Sequence, residues 1–174
     1  MNEMHTVVAD DHVRGPADAP LTVVQYGDYD CPHTRASAAI WKAVEDRLGA
    51  PVRFVFRYFP LRRLHPNAQL FSEIAEGAGT LGQFWETHDR LMSHGEDLDR
   101  DAVMRDVEDA KVDVRALQEL ISGGTLEQRI ERDVEQGARA GVHSTPTWFF
   151  NGVAWDGHYD LETLLGRAEL ALGR

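Results

Sequence analysis

Apolar residues run unbroken or alternate in a few short stretches of the chain and recur at helical spacing through most of the rest. Leu21-Thr22-Val23-Val24-Gln25-Tyr26 is the first apolar run and reads as a buried strand. The pattern from Pro32 to about Leu48 is helical, and Gly49-Ala50-Pro51 stops it. Val52 to Tyr58 alternates and is rich in β-branched and aromatic residues, which predicts a second strand. Strand, helix and strand in this space form a βαβ unit, right-handed almost without exception. Upstream, Thr6-Val7-Val8-Ala9 reads as a short edge strand, and Gly15-Pro16 and Ala19-Pro20 mark turns.

Beyond Pro60 the period becomes helical. Ala68, Phe71, Ile74, Ala75 and Ala78 share one face, and Phe84, His88, Leu91 and Met92 share another. Asp99 and Asp113 are suited to cap helices beginning near Arg100 and Val114. The stretch of about Leu61 to Gly124 is thus all-helical and interrupts the α/β alternation. Thr125 and Gln128 read as a capping box for a helix that carries Leu126, Ile130, Val134 and Ala138 and ends at Gly141. Thr147–Phe150 and Val153–Trp155 flank Asn151-Gly152, a pair that suits a type I′ hairpin turn. Asp160 caps a last helix with Leu161, Leu164, Leu165, Ala168 and Leu172 inward.

Length and composition narrow the class. A chain of 174 residues, 43% hydrophobic, suits one domain spanning 1–174. Its formal charge of −11 argues against a general nucleic-acid binder, because such binding rests on phosphate neutralisation. No stretch approaches the ~20 apolar residues needed to cross a bilayer, so no membrane insertion is expected. Met1–Thr6 shows neither a basic lead-in nor an apolar run of signal-peptide length, and a cytoplasmic location is expected.

Chemistry concentrates at Cys31-Pro32-His33-Thr34, where the first strand delivers the only cysteine of the chain to the start of a helix. Unpaired N–H groups and the positive end of the helix dipole favour thiolate over thiol there. Pro32 suits the first helical position, and His33 offers a donor or a positive charge near the sulfur. Thr34 stands where the redox C-x-x-C pattern has its second cysteine. A lone cysteine forms no intrachain disulfide, so any mixed disulfide at Cys31 awaits an external thiol.

Asp11–Pro20, Tyr26–His33, Phe56-Arg57-Tyr58-Phe59-Pro60-Leu61, His65-Pro66-Asn67-Ala68, Phe84-Trp85 with His88-Asp89, and Ser144-Thr145-Pro146-Thr147 together resemble the DsbA-like branch of the thioredoxin superfamily. The resemblance covers nearly the whole chain and implies a thioredoxin-like α/β fold with an inserted all-helical subdomain at about 61–124. It implies a cis-proline at Pro146 facing Cys31, with Ser144 and the backbone of Thr145 binding substrate. It also implies thiol–disulfide exchange, here in monothiol form: Cys31 as nucleophile, His33 as its activator, and Pro32 and Thr34 shaping the site. A hydroxyl at Thr34 can hydrogen-bond the sulfur but cannot form a disulfide with it. The implied partners are thiol- or disulfide-containing peptides, proteins or glutathione, the last as a co-substrate, with no bound cofactor. A redox-inactive module that binds peptides or a partner in the same groove is the alternative.

Arg57, Arg62 and Arg63 form a local basic cluster, read either as a solvated loop or as a site for the carboxylates of a peptide or of glutathione. Eight histidines invite a metal, but no H-x-x-x-H or H-E-x-x-H spacing supports one, and none is expected. His65 and His88 read as structural.

Overall fold

The computed structural model describes residues 7–95, 98–155 and 157–174. The strands are β1 (His12–Arg14), β2 (Leu21–Gly27), β3 (Val52–Tyr58), β4 (Thr147–Phe150) and β5 (Val153–Trp155). The helices are α1 (Pro32–Leu48), α2 (Ala68–Thr80), α3 (Phe84–Ser93), α4 (Arg100–Asp109), α5 (Val114–Ser122), α6 (Glu127–Arg139) and α7 (Leu161–Ala171). The strands form one sheet in the order β1-β3-β2-β4-β5, with β2 at its centre. β2 and β3 run parallel across the α1 crossover, and every other neighbouring pair is antiparallel.

Side chains alternate across the sheet, so both of its faces need cover. Leu21, Val23, Phe54, Phe56, Trp148 and Phe150 form one cluster with Trp41 and Val44 of α1, Leu91 of α3, and Leu164 and Ala168 of α7. Val24, Tyr26, Val55 and Phe149 form the other with Phe59 and Val142, and Val134 of α6 packs against it. Helices α2 to α5 lie between β3 and α6 in sequence, as the change of period after Pro60 predicts.

Local signals place most element ends. Gly49 closes α1 in the left-handed conformation (φ 61°). Asp99, Asp113 and Asp160 each accept a backbone N–H of the first turn they precede. Asn151 (φ 48°) and Gly152 (φ 80°) both take the positive φ that a type I′ turn requires. The side chain of Asn151 then crosses to the next strand: its Oδ1 accepts the Thr22 N–H at 2.8 Å, while its Nδ2 donates to the carbonyls of Pro20 and Ala171.

Two expectations are corrected. The edge strand is His12–Arg14 rather than Thr6–Ala9; Thr6 lies outside the described residues, and Val7–Ala9 are not strand. Its place is set by distant partners: His12 stacks on Phe84 at 3.4 Å, and the Trp85 indole donates to the Val13 carbonyl at 3.1 Å. The Thr125–Gln128 capping box is not formed either. Leu126 is already in the helical region and has no side-chain cap role, and α6 starts at Glu127. Leu126 is buried beside Gly77 of α2. Burying a leucine is worth about 1.5–3 kcal/mol against about 1 kcal/mol for a cap.

The basic cluster also dissolves. Arg57 and Asp11 pair at 2.8 Å with both side chains fully buried, and Arg57 also donates to the Tyr26 hydroxyl. Burial opposes the Arg57 charge, but the bonds and charge of Asp11, with Tyr26, more than offset it and raise its pKa. This pair ties the segment before β1 to β3. Removing one partner strands a buried charge, so Asp11→Ala should cost about 3–5 kcal/mol. Asp11→Ala combined with Arg57→Met should recover a large part of that loss. Urea unfolding of the four proteins in a double-mutant cycle checks this, and additive losses would show that the pair is not coupled.

Candidate active site

Strand register brings the site together. β2 and β4 are paired from Val23↔Phe150 to Tyr26↔Thr147. The chain leaving β2 toward Cys31 therefore runs beside the chain entering β4 from Ser144-Thr145-Pro146. Residues more than a hundred positions apart meet there: the Cys31 thiol donates to the Thr145 carbonyl at 3.5 Å. The Thr145–Pro146 bond is cis.

Cys31 is the residue immediately before α1, in extended conformation, with Pro32 in the first helical turn. Its own N–H donates to the Asp28 carbonyl at 3.1 Å, and its carbonyl accepts from Arg35. Only 2% of Cys31 is exposed, so a reactant must enter past its neighbours. Thr34 is fully buried. Its hydroxyl accepts the Asp28 N–H at 3.3 Å and so serves the loop. Gly27 allows this arrangement, because a Cβ there would lie 2.9 Å from the Thr34 methyl and 2.5 Å from the Phe56 ring.

The loop between β2 and α1 is held from behind. Asp28 is fully buried and accepts the N–H groups of Asp30 and Leu61 and the Nδ1 of His65, at 2.7–3.0 Å. Asp30 accepts the N–H of Asn67 at 2.8 Å. His65 is thus structural, as its place before Pro66 predicts. So is His88, which meets the Tyr29 hydroxyl through Nδ1 at 2.8 Å.

Beside the thiol lies a groove of about 470 Å³, walled by His33, Thr145, Pro146, Trp155 and Tyr159 among others. Ser144 and His143 lie on its rim. The Thr145 hydroxyl is buried and has no hydrogen-bond partner. His33 turns its Nδ1 to the Tyr159 hydroxyl at 2.7 Å. Arg57, Arg62 and Arg63 do not line this groove. Arg57 is consumed by Asp11, Arg62 bonds Gln69 and Glu131, and Arg63 is exposed. Among the described residues no group of three His, Cys, Asp or Glu side chains could hold a metal ion.

Tyr159, Trp155 and His143 were not legible as site residues. The available signal was positional: the Asn-Gly hairpin sends the chain back toward the start of β4, and Tyr159 directly precedes the cap Asp160.

A five-stranded sheet whose central strand hands a cysteine to a helix, opposite a cis-proline, defines a thioredoxin fold with helices inserted after β3. The chain belongs to the thioredoxin family, whose model matches residues 8–167. A thioredoxin-like oxidoreductase from Silicibacter pomeroyi superposes with a TM-score of 0.83 at 22% identity, covering 96% of this chain and 95% of that one. The thiol–disulfide exchange protein alpha-DsbA2 from Wolbachia pipientis gives 0.76 at 19% identity, covering 92% and 86%. In sequence, the Na(+)/H(+) antiporter NhaA 3 of Salinispora tropica is 39% identical over 155 residues, 88% of this chain and 24% of that protein. The chain spans about a quarter of the length of the curated relatives it matches. Among the described residues no helix is long and apolar enough to cross a membrane.

The Tyr29–His88 prop sets a pH dependence. Burial, then Arg14 and His12, pushes His88 well below the ordinary histidine range, and burial pushes Tyr29 well above the ordinary phenol range. A histidine depressed in the folded state costs nothing above its unfolded pKa. Below it, the unfolded chain takes up a proton that the folded one refuses, and stability falls. The protein should therefore lose about 1.4 kcal/mol per pH unit below about pH 6.5 relative to His88→Leu. Urea midpoints from about pH 7 to 5 measure it; parallel curves for the two proteins would reject the assignment.

Proposed function

We propose that the chain is a DsbA-like thiol–disulfide exchange protein working by a monothiol mechanism. The observation that carries this reading is the Cys31 sulfur at the start of α1, 3.5 Å from the Thr145 carbonyl and beside Pro146, in a chain with one cysteine. In this reading the Cys31 thiolate attacks one sulfur of a disulfide. The S–S bond breaks, one thiolate departs, and the other half remains on Cys31 as a mixed disulfide. With threonine at position 34 nothing in the chain resolves that bond. An external thiol such as glutathione, as its thiolate, attacks the substrate sulfur and returns Cys31 as thiolate.

His33 acts as hydrogen-bond donor to charged sulfur. Ser144, Thr145 and Pro146 receive the extended substrate, with the Thr145 backbone pairing to it as an added strand would. Substrates are thiol- or disulfide-containing peptides, proteins or glutathione. A glutathione-rich compartment suits a chain that depends on an external thiol, which favours the cytoplasm. Near-complete burial of Cys31 favours a second reading, a redox-inactive module that binds peptides in the groove.

Treatment with oxidised glutathione separates the two. Exchange activity predicts an adduct of about 305 Da on the native protein, none on Cys31→Ser, and catalysed reduction of a glutathionylated peptide only by the native chain. Equal peptide rates without an adduct leave the binding module. Thr34→Cys should add an internal disulfide after oxidation; two free thiols in that variant would contradict the placement of position 34.

A further inference from the structure

His33 lies in the first turn of α1, and Tyr159 lies in the segment between β5 and α7, 126 residues later. Their meeting is built rather than incidental. α7 packs on α1. Asp160 caps α7, accepting the Thr163 N–H at 3.0 Å, which fixes the residue just before the helix. The Trp155 indole donates to the His158 carbonyl at 3.1 Å and holds the same segment from the other side. Gly157 permits this, since any Cβ there would fall 2.2 Å from the Trp155 ring. The result is a tyrosine hydroxyl 2.7 Å from His33 Nδ1, with the rings edge to face at 6.2 Å.

We propose that Tyr159 is a positioning residue that sets the tautomer and orientation of His33. The phenol donates its proton to Nδ1, and the ring then carries its own proton on Nε2, the nitrogen that has no partner among the described residues. Nε2–H is thereby the group available to negative sulfur during exchange. The alternative tautomer would offer sulfur a lone pair instead of a proton. Burial, and next the charge of Cys31, push the Tyr159 phenol above its ordinary range, which keeps its proton in place and marks it as within electrostatic reach of the sulfur. This proposal rests on the exchange reading above for its consequence, though not for its geometry.

Tyr159→Phe removes the hydroxyl and keeps the ring, so the edge-to-face packing survives. Nitrogen-15 spectra of the His33 imidazole in the native protein should show Nε2 protonated and Nδ1 bare, and the variant should show a mixture of tautomers. The rate of adduct formation at Cys31 with oxidised glutathione should fall roughly 3- to 10-fold, the worth of one hydrogen bond. His33→Ala should fall at least as far, and adding Tyr159→Phe to it should change nothing more. An unchanged imidazole spectrum in Tyr159→Phe overturns the proposal. So does a further loss in the double variant, which would mean that Tyr159 acts independently of His33. If the native protein forms no adduct, the exchange reading fails, and the imidazole spectra alone decide the role of Tyr159.

Discussion

The antiparallel pairing of β2 with β4 is the constraint on which the site depends. A single register, Tyr26 opposite Thr147, brings the exit of one strand beside the entry of another and so sets the thiol against the Thr145 carbonyl. Side-chain faces alternate every residue, so a slip by one position would turn Trp148 and Phe150 out of their cluster and bring Phe149 into it. Asn151 secures the far end, with bonds to Thr22, Pro20 and Ala171. The β2–β4 pair is thus held at the end opposite the thiol by the turn that leads from β4 into β5.

Charge is distributed with a similar division of labour. The fully buried pair of Asp11 with Arg57 fastens the chain before β1 and does not line the groove. Asp28 lies directly behind the cysteine loop, and its carboxylate is spent on the N–H groups of Asp30 and Leu61 and on His65. The groove is lined by histidine, tyrosine and tryptophan among others, with an unpaired threonine hydroxyl, and among the described residues no lysine or arginine lines it.

What could be read from the sequence follows the range of the interactions involved. Leu21–Gly27, α1 and Val52–Tyr58 are legible because their apolar spacing and the stop at Gly49 are local. The caps at Asp99, Asp113 and Asp160 and the Asn151-Gly152 turn are legible for the same reason. β1 was misplaced because three residues carry no period of their own and are held by Phe84, Trp85 and β3. Arg57 shows the limit most clearly: strand alternation predicts its place, but nothing near it announces a carboxylate 46 positions upstream. Cys31 and Pro146 stood out through the motif and the resemblance, while Tyr159 depends on how α7 meets α1.

Thr34 shows how tightly this loop constrains the side chain at one position. Both branches of its side chain are in use: the hydroxyl takes the Asp28 N–H, and the methyl sits over Gly27. Serine would keep the bond and lose the packing, whereas valine would keep the shape and orphan a buried donor. Cysteine has only one branch and no oxygen, so it gives up the strong acceptor whichever way it turns and can fill only one of the two places. Each of these three replacements therefore loses local fit at a fully buried position.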